Sequence, residues 1–222
     1  MIRGRVLTDA GAPLTSAEIV VLDHPEFGFT QAQTNGEFSL VVNGGGELVF
    51  EISAPGFLQA QRRIVVPWAE SKTLPDVALV RLDSHSTDID LGSSATSFQV
   101  AQSSPVSDSD GTRSATLLFP PETTATMVFA DGSTQPLSAM TVRATEYTSG
   151  PLGPQKMPGD LPPGVLYTYA VELSVDEAMQ AGAVDVVLNQ PVYVCVDNFL
   201  NFPVGSLVPN DRRHDSFEFR QR

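Results

Sequence analysis

The 222-residue chain has a single cysteine, Cys195, and only two lysines, Lys72 and Lys156. One cysteine excludes an internal disulfide framework and any zinc site built from cysteines. Cations are scarce altogether: 13 Lys and Arg stand against 26 Asp and Glu, for a net charge of −13. So acidic a chain argues against nucleic acid as a partner, because phosphate binding needs clustered Lys and Arg. No run approaches the roughly 18 to 20 apolar residues of a membrane-spanning helix. The opening MIRGRVLTD lacks the apolar stretch of a signal peptide. Catalytic signatures are equally thin. The three histidines, His24, His85 and His214, fall in an expected loop, a polar junction and the C-terminal tail, and no Gly-x-Ser-x-Gly elbow occurs. No enzyme activity is expected.

What the chain has is turn residues. Seventeen glycines and seventeen prolines punctuate short runs rich in Val, Ile, Thr and Phe, the pattern of strands joined by turns. The first strands are expected at 2–8, 17–22, 36–42, 47–53 and 62–66, separated by turns such as Thr34-Asn35-Gly36. In 37–42 the side chains Phe38, Leu40 and Val42 share one face, which predicts a half-buried strand. Around residues 83–94 the composition turns short and polar, and a boundary is placed near Asp83. Charge divides the same way. Residues 1–83 hold ten acids and six bases, residues 84–209 thirteen and three, and residues 210–222 three and four.

The second half again reads as β, with strands expected at 97–101, 114–119, 125–129, 140–146, 166–173 and 184–196. Asp131-Gly132 marks a hairpin tip, and 152–163 a long irregular loop. Ser174, three residues before Glu177, predicts a capped helix of about two turns stopped by Gly182. The expected fold class is therefore all-β: two tandem β-sandwich domains at 1–83 and 84–209, the second larger and carrying one short helix, with a loosely held tail at 210–222.

Particular residues then point to families. Gly4-Arg5-Val6, Gly11-Ala12-Pro13-Leu14, Ala17-Glu18-Ile19-Val20, Thr34-Asn35-Gly36-Glu37-Phe38 and Gly56-Phe57 resemble a carboxypeptidase regulatory-like domain, which implies a transthyretin-like Greek-key sandwich. HPEFG (24–28), VNGGG (42–46), AQRRIVVPW (60–68), DGTRSATLLFPP (110–121), MPGDLPP (157–163) and NFLNFPVGSLVP (198–209) resemble, in order, the N-terminal β region of bacterial RHS/YD-repeat proteins. The second half is similar to a ZU5-like sandwich. The resemblance implies a fragment, truncated product or remnant of a surface or toxin-delivery protein, at the cell surface or outside it. Its partners would be other domains of that parent or another protein.

Few residues suggest chemistry beyond scaffolding. Asp108 and Asp110, in Asp108-Ser109-Asp110-Gly111, are the metal candidates, since hard cations take clustered carboxylates. The run lacks the closing Glu of a calcium loop, and a turn with Asp side chains on backbone N–H groups is the preferred reading. No metal or cofactor is expected. Trp68 and Tyr147 are the carbohydrate candidates, because exposed aromatic rings stack on sugars; Tyr167 and Tyr169 are secondary. Packing is preferred for Trp68. Cys195 reads as a small buried hydrophobe. Arg62, Arg63, Arg113 and Arg143 are solvated charges or partners of carboxylates, and burial of Glu146 stays open. The expected function is a non-catalytic structural or interaction module, the alternative a carbohydrate-binding sandwich.

Overall fold

A computed structural model describes residues 1–92, 96–150, 152–160, 168–203 and 205–206. The expected tail at 210–222 and Tyr167 lie outside the described residues. The protein is all-β and falls into two compact units. Met1–Leu82 with Tyr147–Ala170 make the first, Asp83–Glu146 and the described residues from Val171 onward the second. The chain therefore leaves the second unit, adds a segment to the first, and returns.

In the first unit the strands are β1 (Ile2–Thr8), β2 (Glu18–Val21), β3 (Phe29–Gln31), β4 (Glu37–Leu40), β5 (Gly46–Ser53), β6 (Ala60–Val66), β7 (Lys72–Thr73) and β8 (Val77–Leu79). One sheet runs β4-β1-β7, with β8 pairing further along β1; the other runs β3-β2-β5-β6. Period-two alternation decides which side chains meet between them. Phe38 and Leu40 of β4 and Ile2 and Val6 of β1 point inward, against Ile19 and Val21 of β2 and Leu48, Phe50 and Ile52 of β5. The register depends on one turn. Gly36 has φ +78°, and a Cβ there would lie 2.4 Å from the Val6 carbonyl oxygen, so only glycine lets β4 leave the turn against β1.

The segment contributed by 147–170 closes this unit. It carries a short helix, α1 (Gly153–Lys156), which the expected loop at 152–163 did not contain. Tyr147 and Met157 form a cluster with Leu58 and Val80. The Gln61 amide donates to the Pro158 carbonyl at 2.7 Å, the Arg63 amide to Asp160 Oδ2 at 3.1 Å, and Arg62 Nη2 to the Gln155 carbonyl at 2.8 Å. The outer edge of β6 is thereby covered, one of the ways a sheet avoids presenting an open template.

The second unit contains β9 (Thr87–Asp90), β10 (Gln99–Gln102), β11 (Val106–Asp108), β12 (Gly111–Arg113), β13 (Ala115–Phe119), β14 (Ala125–Val128), β15 (Thr134–Leu137), β16 (Ala139–Glu146), β17 (Val171–Val175), α2 (Asp176–Ala181), β18 (Asp185–Leu188) and β19 (Tyr193–Val196). They pair as β10-β13-β19, β11-β12, β15-β14-β18 and β17-β16-β9. The single strand expected at 184–196 is two, because the chain changes sheets at Asn189-Gln190. Asn189 Oδ1 accepts from the Thr124 amide at 2.8 Å and Gln190 Nε2 donates to the Pro121 carbonyl at 2.7 Å. Those bonds hold the corner where β13 gives way to β14.

The helix signal was right about the stop and wrong about the start. Gly182 ends α2 at φ 70°, in the left-handed conformation that suits a helix C-terminus. Ser174 does not cap it. Ser174 lies in β17, buried, and its Oγ has no hydrogen-bond partner among the described residues. Glu177 instead turns back to accept the Thr141 amide and hydroxyl, each at 2.9 Å. Ser174 is among the residues around a small apolar cavity, with Phe119, Met140, Leu173 and Val186. An unmet hydroxyl in such a place is a cost. Ser174→Ala should therefore stabilise the protein by about 1 kcal/mol in urea unfolding; a loss of stability would show that the hydroxyl is satisfied.

Candidate functional site

The strongest polar constellation lies in the second unit, around Arg113. This residue ends β12, is 2% exposed, and is held from two directions. Its Nη1 and Nη2 donate to the two oxygens of Asp108 at 2.8 Å each, a bidentate pair across the β11–β12 hairpin. Its Nε and Nη2 donate to Glu146 Oε1 at 2.9 and 2.6 Å. The Phe199 ring covers the guanidinium, 4.6 Å from its carbon to the ring centroid. The planar fork makes four hydrogen bonds to two carboxylates, more than the three N–H groups of a lysine could supply. The guanidinium beside it pulls the Asp108 carboxyl down to about 2, helped by the Asp110 amide. Its hydrogen bonds to the two carboxylates, that to Asp108 first, in turn push Arg113 above its ordinary value despite burial.

A second network surrounds Arg143 on β16. Its Nε and Nη2 donate to Asp176 at 2.7 Å each, and Nη1 to the Asp83 carbonyl at 2.6 Å. The Asp83 carboxylate accepts from the Ser104 amide and hydroxyl at 2.7 and 2.6 Å and from the His85 amide at 2.9 Å. These bonds draw the polar junction after Leu82 onto the second unit. Arg143 is raised above its usual value, chiefly by its bond to Asp176.

The metal candidates meet different fates. Both Asp108 oxygens face the Arg113 guanidinium, which stands where a cation would have to bind. Asp110 sits in the hairpin turn, its amide donating to Asp108 Oδ1 at 2.9 Å. Among the described residues no group of three or more His, Cys, Asp or Glu is placed to hold a metal ion. The described histidines are occupied as well. His24 Nδ1 lies 2.9 Å from Glu26 Oε1 with its ring on Phe27, and His85 Nδ1 donates to the Gln102 carbonyl at 2.8 Å.

The structure does not bring the two aromatic carbohydrate candidates together as a surface. Tyr147 is 4% exposed in the core of the first unit and offers no face for stacking. Trp68, for which packing was preferred, is instead 74% exposed. Its ring lies on the glycine turn after β4: a Cβ on Gly45 would come within 2.3 Å of Trp68 Cε2. Cys195, expected to be buried, is exposed on β19. The sequence offered Arg113 as a partner of carboxylates and left the burial of Glu146 open, but the joining of Asp108, Arg113 and Glu146, the last 33 positions away, was not legible.

Fold and constellations together define an all-β protein of two sandwich units, with the buried Arg113 and Glu146 of the second paired to each other. Comparison with known proteins then places its N-terminal part. Residues 1–79 match the family model of the Teneurin TTR-like domain. The chain is 27% identical to Teneurin-4 of Mus musculus over 106 residues, 48% of this chain and 4% of that protein. It is 33% identical to Teneurin-1 of Mus musculus over 91 residues, covering 40% and 3%. With Teneurin-m of Drosophila melanogaster it is 37% identical over 70 residues, covering 32% and 2%. The chain thus spans a few per cent of the length of these relatives.

Among solved structures, a streptococcal ancillary pilin gives a TM-score of 0.29 at 12% identity, covering 61% of this chain and 57% of the other. The Bacillus anthracis TIE protein gives 0.30 at 10%, covering 78% and 30%. Likeness at that level carries no argument. The expected membership of the bacterial RHS/YD-repeat family is overturned by the teneurin matches. The segments that suggested it are largely turn and strand punctuation, which any sandwich of this shape requires.

Proposed function

We propose that the chain is a non-catalytic structural and protein-interaction module that works as part of a longer protein, at the cell surface or outside the cell. The observation that carries this is the internal matching of its polar groups: Arg113, Arg143, Asp83 and Glu177 are each spent on holding strands, hairpins or the junction in place. Matches confined to a small share of very long relatives support the same reading. Its partners are then other domains of its own parent. Titration calorimetry of the chain against recombinant neighbouring segments of that parent should show binding at about 10 μM or tighter. Absence of heat with every segment at about ten times that concentration would remove the reading.

Trp68 supports a second reading, as a carbohydrate-binding module, through its exposed ring on Gly45. Its fluorescence should be red-shifted and should change on titration with oligosaccharides, and Trp68→Ala should abolish binding without a change in stability. A flat titration across a glycan panel would leave only the structural role.

A further inference from the structure

We propose that the open edge of β19 is a self-association site, at which a second copy of this chain adds its own β19 antiparallel, on a two-fold axis at Cys195. The register shows which backbone groups are on offer. Cys195 pairs with Thr116 and Tyr193 with Leu118, and the Asp197 amide donates to the Ser114 carbonyl. Residues 193, 195 and 197 therefore turn their N–H and C=O groups toward β13. In an antiparallel ladder the intervening residues face the other way. The backbone of Val194 and Val196 thus points out of the sheet.

Among the described residues no strand or segment pairs with this edge. Natural edges carry lysine, proline, a charge or a covering segment, as β6 does with its strap, yet Tyr-Val-Cys-Val supplies none of these. Its side chains are unfinished on both faces. Tyr193 is 57% and Val196 38% exposed, although Val194 and Val196 share the inward face of buried Leu117 and Val192. An added strand would extend the core.

The strand is complementary to itself. Centred on Cys195, antiparallel addition sets Val194 against the partner's Val196, twice, with both residues exchanging backbone bonds. Tyr193 then faces the partner's Asp197. In each copy Asp197 Oδ2 already accepts the Ser114 amide and hydroxyl, which leaves Oδ1 for a phenolic O–H. No like charges stand opposite each other in the paired stretch, which would otherwise destabilise it. The net −10 of residues 84–209 repels only at longer range, so added salt should strengthen the pair. Five paired residues from each copy make a small interface of the transient class, with half-association on the order of 100 μM.

The test uses the full chain. Sedimentation equilibrium should show a dimer that tightens with salt. With added diamide, a diazene oxidant, two Cys195 thiols should join as one disulfide, their two protons and two electrons reducing the diazene to the hydrazine. Directly opposed residues that do not exchange backbone bonds sit about 4.5 Å apart at Cα, within disulfide range. Tyr193→Cys and Asp197→Cys, each in a Cys195→Ser background, face one another and not themselves, and should cross-link about tenfold more slowly. Val194→Pro removes an N–H that points only outward, which an edge strand tolerates, and should abolish the dimer while leaving the melting temperature in place. A chain that stays monomeric at high concentration and high salt would overturn the proposal. Equal cross-linking at all three positions, or a Val194→Pro chain that dimerises like the parent, would do the same.

Discussion

Replacing Arg113 by alanine is expected to destabilise the second unit by about 3 to 5 kcal/mol, the range for breaking a buried ion pair by removing one partner. Most of that loss comes from what remains. Glu146 would stay in a buried site, beside a cavity under Phe199, with its guanidinium gone. The pair itself is a weak source of net stability, because desolvating both partners offsets much of their attraction. Double replacement therefore separates the two effects. Arg113→Met with Glu146→Leu should recover much of the stability that Arg113→Ala loses, and the double-mutant cycle should show strong coupling. Equal losses in single and double variants would mean that packing alone is at stake. Acid gives an independent readout. Asp108 has a depressed carboxyl in the folded protein, about 2 against an ordinary 3.8. It therefore contributes stability that is present above about pH 4 and lost as pH falls toward 2. Arg113→Met should flatten that part of the acid unfolding curve, and an unchanged slope would place the acid sensitivity elsewhere.

Local signals were legible in the sequence and distant ones were not. β1 occupies Ile2–Thr8 as its alternation and flanking turns predict, β5 falls within one residue of expectation, and Asn35-Gly36 makes the turn that delivers Phe38 inward. Each of these is decided by a few neighbouring residues. The short strands β7 and β8 escaped notice because they are defined by parallel pairing with β1 about 70 residues away, with little pattern of their own. Ser174 shows a motif overruled by context: the capping spacing is present, but the strand pairing of Arg143 with Ser174 holds that residue in β17. For Cys195, alternation correctly put it on the face opposite Val194. It could not say that β19 is an edge strand or which face meets solvent. In the same way Asp108 and Arg113 face each other within one hairpin, but Glu146 ends β16, 33 residues further on, and only the folded register brings it to them.

The segment 147–170 should prove to be part of the first unit's core, and Tyr147→Ala its most damaging single change. Tyr147 is packed among Leu58, Val80 and Met157, and its amide donates to the Ala170 carbonyl at 2.9 Å. Truncating a buried aromatic to alanine removes its transfer free energy and leaves a cavity, about 3 to 5 kcal/mol together. Trp68→Ala, by contrast, should change stability by no more than about 0.5 kcal/mol, since its ring is mostly in solvent. The location of the damage matters as much as its size. Although Tyr147 follows β16 directly in the chain, its loss should speed hydrogen exchange in β6 and β8 of the first unit, where its neighbours and the strap bonds lie. Exchange in β13 and β16 of the second unit should stay close to wild type, because local opening follows packing and not chain order. The same reasoning predicts that residues 1–82 alone would expose Leu58, Val80 and the outer edge of β6. A Tyr147→Ala chain with unchanged exchange in β6 and β8 would show that the first sandwich is complete without the segment.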